Sequence, residues 1–181
     1  MKKRLHYIGI ITIAMVMFSS TQGFTQELES GEVLPELSTE QKMERLTGNL
    51  NAMVFAAMNF AVKHGHSIEE AGRYFGEVFA NSWPDDATPE FYVSAMNNNW
   101  QMYDLQMEVL EVGDDYVTAR RDRIPFSDES EEAFQEMYGY GRSDFETFFR
   151  HIEKGITSEL GLTLTQNTQD EHIEFTVSAN P

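Results

Sequence analysis

The sequence predicts an α+β domain, with helices packed on one face of a small, largely antiparallel sheet built from two β-hairpins. Three observations carry this. Apolar residues recur every three or four positions over Met43–Ala61, Ile68–Phe79 and Phe145–Leu160, the period of a helix with a buried face. The period shortens to two around Tyr103–Val109, Tyr116–Arg123, Leu162–Gln166 and His172–Val177, as in half-buried strands. These short-period runs occur as local pairs separated by Gly113-Asp114-Asp115 and by Asn167 to Asp170, so neighbouring strands should run antiparallel. The expected order is ααα-ββ-αα-ββ, in one domain spanning residues 38–178.

Each element has its own signals. Ser38 with Gln41 makes a capping box for the first helix, which stops at Gly65. Ser67 with Glu70 makes a second box, and Ile68, Ala71, Tyr74, Phe75, Val78 and Phe79 carry that helix towards Ser82 and Pro84. Thr88 followed by Pro89 starts a third helix, with Phe91, Tyr92, Ala95 and Met96 on its apolar side. After the first hairpin, closed by Pro125, a short acidic helix covers Ser130 to Tyr138. Gly139-Tyr140-Gly141 then forms a hinge, Ser143 and Glu146 cap a strong helix, and Gly161 ends it before the second hairpin.

The first residues read as an address. Lys2, Lys3 and Arg4 precede an apolar run from Tyr7 to Phe18, and small residues follow to Gly23, the layout of a secretory signal peptide. Cleavage is expected before Phe24, leaving residues 24–37 as a mobile acidic leader. The run is shorter than the roughly 20 residues a membrane span needs, so no stable membrane insertion is expected after cleavage. The protein is therefore expected to be exported, periplasmic or secreted.

Composition narrows the function classes. The chain has 13 Lys and Arg against 30 Asp and Glu, a net charge of −17. Losing residues 1–23 would remove three cations and no acid. Such a balance argues against nucleic acid, whose phosphates are bound by Lys and Arg. Cysteine is absent, which excludes disulfides, thiolate catalysis and Cys-ligated metals. No calcium-loop pattern, nucleophile elbow, zinc-protease motif or dinucleotide fingerprint occurs, so no metal, cofactor or catalytic residue is assigned. The methionines fall mostly on positions read as core-facing.

The candidate site rests on few cations. On the returning strand Val117, Ala119, Arg121 and Arg123 share one face, an apolar face ending in two guanidiniums that could clamp an anion with forked hydrogen bonds. Trp100 and Tyr103 precede the hairpin, and Tyr140 sits between hinge glycines, aromatic groups with polar handles that suit a ligand pocket. The alternative is that the arginines pair with the chain's own acids. Gly72, Gly76 and Ala80 form a small-residue stripe whose plainest use is close helix–helix approach. His151 falls off its helix's apolar face and reads as solvated, and His172 reads as a surface group.

The segment Phe145-to-Val177 (FETFFRHIEKGITSELGLTLTQNTQDEHIEFTV), a helix leading through Gly161 into a terminal hairpin, resembles in organisation the small ligand-binding domains of the 4-vinyl-reductase-like and haem nitric-oxide-binding type. The resemblance covers roughly residues 102–178 and has no signature motif. The vinyl-reductase-like cysteines are absent and no haem-ligating histidine matches. It implies a pocket between helices and sheet, and transfers no residue and no reaction.

These readings converge on an exported, non-catalytic domain that binds a small anionic molecule or a partner protein, with Arg121, Arg123, Trp100, Tyr103 and Tyr140 at its site. Two alternatives stand beside it: an exported hydrolase whose carboxylates and histidines meet only in the fold, and an envelope assembly protein using an exposed face of helix 38–64. Oligomeric state is left open.

Overall fold

A computed structural model describes residues 36–180 apart from Asp104 and Pro125. The expected signal peptide, nearly all of the leader and the hairpin-closing Pro125 lie outside the described residues. The chain divides into two compact units at Met53/Val54. Among the described residues, the first unit holds the beginning of helix α1 (Thr39–Lys63) and the second holds everything from Val54 onward.

The capping signals form as read. Ser38 Oγ accepts the Gln41 N–H at 3.2 Å while Gln41 Oε1 accepts the Ser38 N–H at 2.9 Å, starting α1. Gly65, at φ +89°, turns the chain in the left-handed region after α1. The Ser67–Glu70 box opens α2 (Ile68–Ala80), and Thr88 Oγ1 accepts the Phe91 N–H to open α3 (Pro89–Trp100).

The buried faces differ from the apolar count in two helices. α2 buries Ala71, Gly72, Gly76 and Ala80, and leaves Tyr74, Val78 and Phe79 exposed. Its glycines let the backbone of α5 (Arg142–Glu159) come so close that larger residues cannot take part. α3 buries Tyr92, Val93, Met96 and Trp100, with Phe91 turned outward. Met43, Met53 and Met102 are also exposed, against the core-facing expectation.

The sheet has four antiparallel strands in the order β1-β2-β4-β3, with helices packed against it: an α+β fold. β1 (Met107–Val112) starts at Met107, later than the alternation suggested. Gln101–Tyr103 instead make a 3₁₀ turn, the Leu105 N–H donates to the Trp100 carbonyl at 3.2 Å, and Asn97 Oδ1 accepts the Met107 N–H at 3.0 Å. Tyr103 and Leu105 are thus placed by the turn, and their alternation only mimics a strand. β2 (Tyr116–Asp122) pairs with β1 across a register shift at Leu110 and with β4 (His172–Ala179) without interruption. β3 (Leu162–Thr168) forms the other edge.

Helix α4 (Asp128–Tyr138) begins two residues before the expected Ser130. α5 begins at Arg142, and the N–H of Gly141 donates to Asp144 Oδ2 at 3.0 Å. The expected Ser143–Glu146 box is not used, because Glu146 is engaged by Arg123. α3 lies against β2 and β4, and α5 lies against β3 and crosses α2. Phe55, from the second unit's part of α1, stacks on Phe134 of α4 at 4.5 Å and meets Phe145 of α5 at 5.2 Å, closing the core behind the sheet.

Candidate functional site

β2 alternates as the sequence implied: Val117, Ala119 and Arg121 are buried on the helix side, and Arg120 and Asp122 face away. Arg121 therefore carries a guanidinium into the helix–sheet interface, where only 4% of its side chain is exposed. Its Cζ lies 3.9 Å over the Trp100 ring, and Nη2 lies 3.8 Å from Glu153 Oε1 of α5. Trp100 Nε1–H donates to the same Oε1 at 3.1 Å, and Gln166 Nε2 of β3 donates to Glu153 Oε2. Each oxygen of this buried carboxylate thus accepts one hydrogen bond, Oε1 from α3 and Oε2 from β3, with the β2 guanidinium at ion-pair distance. Burial pulls the Arg121 pKa down while Glu153 and Glu146 hold it up.

Tyr92 completes the cluster from α3. It is fully buried, and burial, reinforced by the Glu153 charge, pushes its phenol well above the ordinary value. Tyr92 Oη and Gln166 Oε1 are buried without a hydrogen-bond partner among the described residues. Tyr103 stacks near Trp100, with centroids 5.7 Å apart, and burial pushes its phenol up to about 12.

Arg123, just past β2, forms a forked pair with Glu146 of α5: Nε to Oε1 at 2.9 Å and Nη2 to Oε2 at 2.5 Å. That hydrogen bond raises the Arg123 pKa. Trp100, Tyr103 and Arg121 are therefore brought together, Arg123 lies at the next carboxylate along α5, and Tyr140 stands half-buried in the turn between α4 and α5. Both guanidiniums hold carboxylates of the chain itself.

Sequence reading had missed Glu153, Glu146 and Gln166 as partners. Their signals were present. Glu153 and Thr157 fall on the stripe set by Phe145, Phe148, Ile152 and Ile156, and Gln166 shares the inward face of β3 with Leu162 and Leu164. A polar residue on an apolar face needs a buried partner.

His151 is half-buried with Nδ1 unpartnered, rather than solvated, because α5 crosses α2 at Gly72 beside the His151 Cβ. Burial, aided by the Lys154 charge, lowers its pKa. The unfolded chain then takes up the proton first as pH falls, so this contribution to stability is complete above the ordinary imidazole pKa, about 6.5, and is lost as pH drops from there through the lower folded value. Urea midpoints measured across this range are expected to fall with acidification, and less steeply in His151→Gln.

Beyond the cluster lies an open groove of about 270 Å³ between α3 and the first hairpin, lined by Glu90, Val93, Ser94 and Asn97 of α3 and Met107, Val109, Val112 and Val117 of the strands. The α3 residues follow one another at helical spacing on a single face. Met107, Val109 and Val112 lie opposite Arg121, Ala119 and Val117, so they share the helix-facing side of the sheet. Val109 and Val112 are nevertheless exposed, because the helices cover β2 and β4 and leave this edge bare. Neither His151 nor His172 lines the groove. No group of three or more His, Asp or Glu among the described residues is arranged to hold a metal ion, and none of their helices is long and apolar enough to cross a membrane.

No family model and no curated protein matches this chain. A solved structure described as "Modulating Heme Redox Potential Through Protein-Induced Porphyrin Distortion" is similar to it at a TM-score of 0.37 and 10% identity, covering 94% of this chain and 89% of that one. A likeness at that score carries no argument about fold or function.

Proposed function

We propose that this chain is an exported, non-catalytic binding domain that takes an extended segment of a partner protein along β1. The apolar groove between α3 and β1, beside an edge strand, is the observation that carries the reading. An edge strand offers unpaired backbone groups to an incoming strand, and side-chain pockets on one face supply selectivity. The helix-side face of such a strand would meet Met107, Val109 and Val112. Its other face would meet Glu108 and Glu111, which lie opposite Arg120 and Thr118 in the register. Glu108 is paired with Arg120 at 2.7 Å and Glu111 accepts from Tyr116 Oη, so the preference for basic residues between the apolar ones of the partner rests on the chain's net charge of −17. The arginines support this reading over a small anionic ligand: Glu146 occupies the fork of Arg123, and the buried guanidinium of Arg121 lies 3.8 Å from Glu153 and against the Trp100 ring.

The probe is a capped peptide of alternating Lys and Val, followed by fluorescence anisotropy. Saturable binding is expected, about tenfold weaker in Val109→Asn/Val112→Asn, which removes exposed apolar contact without changing charge. A peptide N-methylated along one edge should bind more weakly still. Binding that is indifferent to the asparagines and abolished by salt alone would reduce it to unspecific attraction by an acidic protein and sink the proposal.

A further inference from the structure

In a chain with 30 acids, three cations stand together without one. Lys42, Arg120, Arg121 and Arg123 each make an ion pair, whereas Arg73 of α2 and Arg150 and Lys154 of α5 make none with the described residues. They gather where the two helices cross. A Cβ at Gly72 would sit 2.9 Å from the His151 Cβ, and one at Gly155 would sit 2.5 Å from the Arg73 carbonyl oxygen. The charges of Lys154, Arg150 and Arg73 accordingly all bear on His151, against Glu69 as the one acid that does. Arg73 and Lys154 are exposed, and Arg150, half-buried, directs one N–H to Thr147 Oγ1 at 3.2 Å. The acids of α2 are turned elsewhere. The Glu69 carboxyl is pulled below its ordinary value first by hydrogen bonding to its own backbone and to Ser67. Glu70 Oε2 accepts the Ser67 N–H at 2.9 Å, and Glu77, four residues past Arg73, makes no ion pair with it. Like charges spaced four apart, as Arg150 and Lys154 are, weaken a helix.

We propose that the α2–α5 crossing is a binding site for a phosphoryl group, held by Arg73, Arg150 and Lys154 with His151 beneath them. The inference is independent of the β1 groove. Charge and donor geometry select the ligand class. Around His151 three permanent cations face one acid, an excess that a dianion matches and a single carboxylate does not. The two guanidiniums offer forked donors to tetrahedral oxygens, and the ammonium adds a point charge. His151 couples the site to pH. Its Nδ1 is buried without a partner, and the groups that bear on the ring are Glu69 and Arg73 from α2 and Arg150 and Lys154 from α5. Burial and then the cations hold the ring neutral, and a bound dianion reverses that balance. Binding therefore takes up a proton, and affinity rises as pH falls through the imidazole range near about 6.5.

Calorimetric titration of the purified protein with inorganic phosphate tests the site, and sulfate, a dianion throughout the range, tests the pH coupling. Saturable binding is expected, at least about tenfold weaker in Arg73→Gln/Lys154→Gln and unchanged in Arg120→Gln, whose arginine lies on the other face of the sheet. Both side chains of the double variant are exposed, so its circular dichroism and melting temperature should hold. Arg150→Lys, which keeps the charge and loses the fork, should also weaken phosphate and gives a second reading if the double variant does not fold. Sulfate affinity should rise at least about threefold between about pH 7.5 and about pH 5.5, and stay flat in His151→Gln. Phosphatidylcholine vesicles carrying phosphatidic acid separate the sources. Vesicle binding that the double variant loses, with no heat from free phosphate, assigns a lipid headgroup; the reverse assigns a soluble phosphate. Saturable binding of neither, binding indifferent to the double variant, equal loss in Arg120→Gln, sulfate affinity that ignores pH, or acetate competing as well as phosphate would each overturn the proposal.

Discussion

Replacing Arg121 with Met is expected to destabilise the protein by about 3–5 kcal/mol, a large share of the roughly 5–15 kcal/mol that holds a typical domain together. The loss follows from what remains. Glu153 is a buried carboxylate, and Arg121 is the cation beside it, so the variant leaves a charge in the interior with two neutral donors, Trp100 Nε1–H and Gln166 Nε2–H. Removing both ends of the pair separates this cause from lost packing. Arg121→Met/Glu153→Leu should recover most of the loss, falling short because the Trp100 and Gln166 donors then lack their acceptor. Urea denaturation of the single and double variants measures both. An Arg121→Met protein as stable as the parent would show that the buried pair is not structural.

Gly76→Ala is expected to cost about 3 kcal/mol or more, although alanine favours an isolated helix by about 1 kcal/mol. A Cβ at Gly76 would sit 2.2 Å from the Ile152 carbonyl oxygen and 2.8 Å from the Gly155 Cα. Those are backbone atoms of α5, so relief requires the two helices to move apart and reopen the packing between them. Gly72→Ala meets the Phe148 carbonyl oxygen at 2.4 Å and should behave alike. Thermal melts are the readout. A neutral or stabilising Gly76→Ala would mean that α2 and α5 do not cross this closely.

Local chemistry was legible in the sequence. Ser38–Gln41, Ser67–Glu70 and Thr88 cap the helices they were expected to cap, and the glycine stripe of α2 marks its close crossing. The alternation of β2 placed Arg121 inward correctly. What failed depended on tertiary choices. α2 has an aromatic face and a glycine face, and periodicity favours the aromatic one, whereas the close approach of α5 selects the glycines. On α1, interleaved stripes read as one broad face until burial separates Phe55 and Met58 from Met53 and Phe60. The candidate site was half visible. Trp100, Tyr103 and Arg121 do meet, but their organising group, Glu153, lies 53 residues beyond Trp100, and no local pattern pairs residues across that distance. The groove was invisible because it arises from coverage: Val109 and Val112 are ordinary inward strand residues that no helix reaches.

The proposed division of labour gives the self-paired polar cluster to the fold and places partner binding outside it, along α3 and β1. Hydrogen–deuterium exchange of the purified protein, with and without the Lys-Val peptide, tests this most directly. Slowed exchange concentrated in Glu90–Trp100 and Met107–Val112 is the predicted result. Slowing confined to Tyr116–Arg123 and α5, with the groove unchanged, would contradict it and return the site to the arginines.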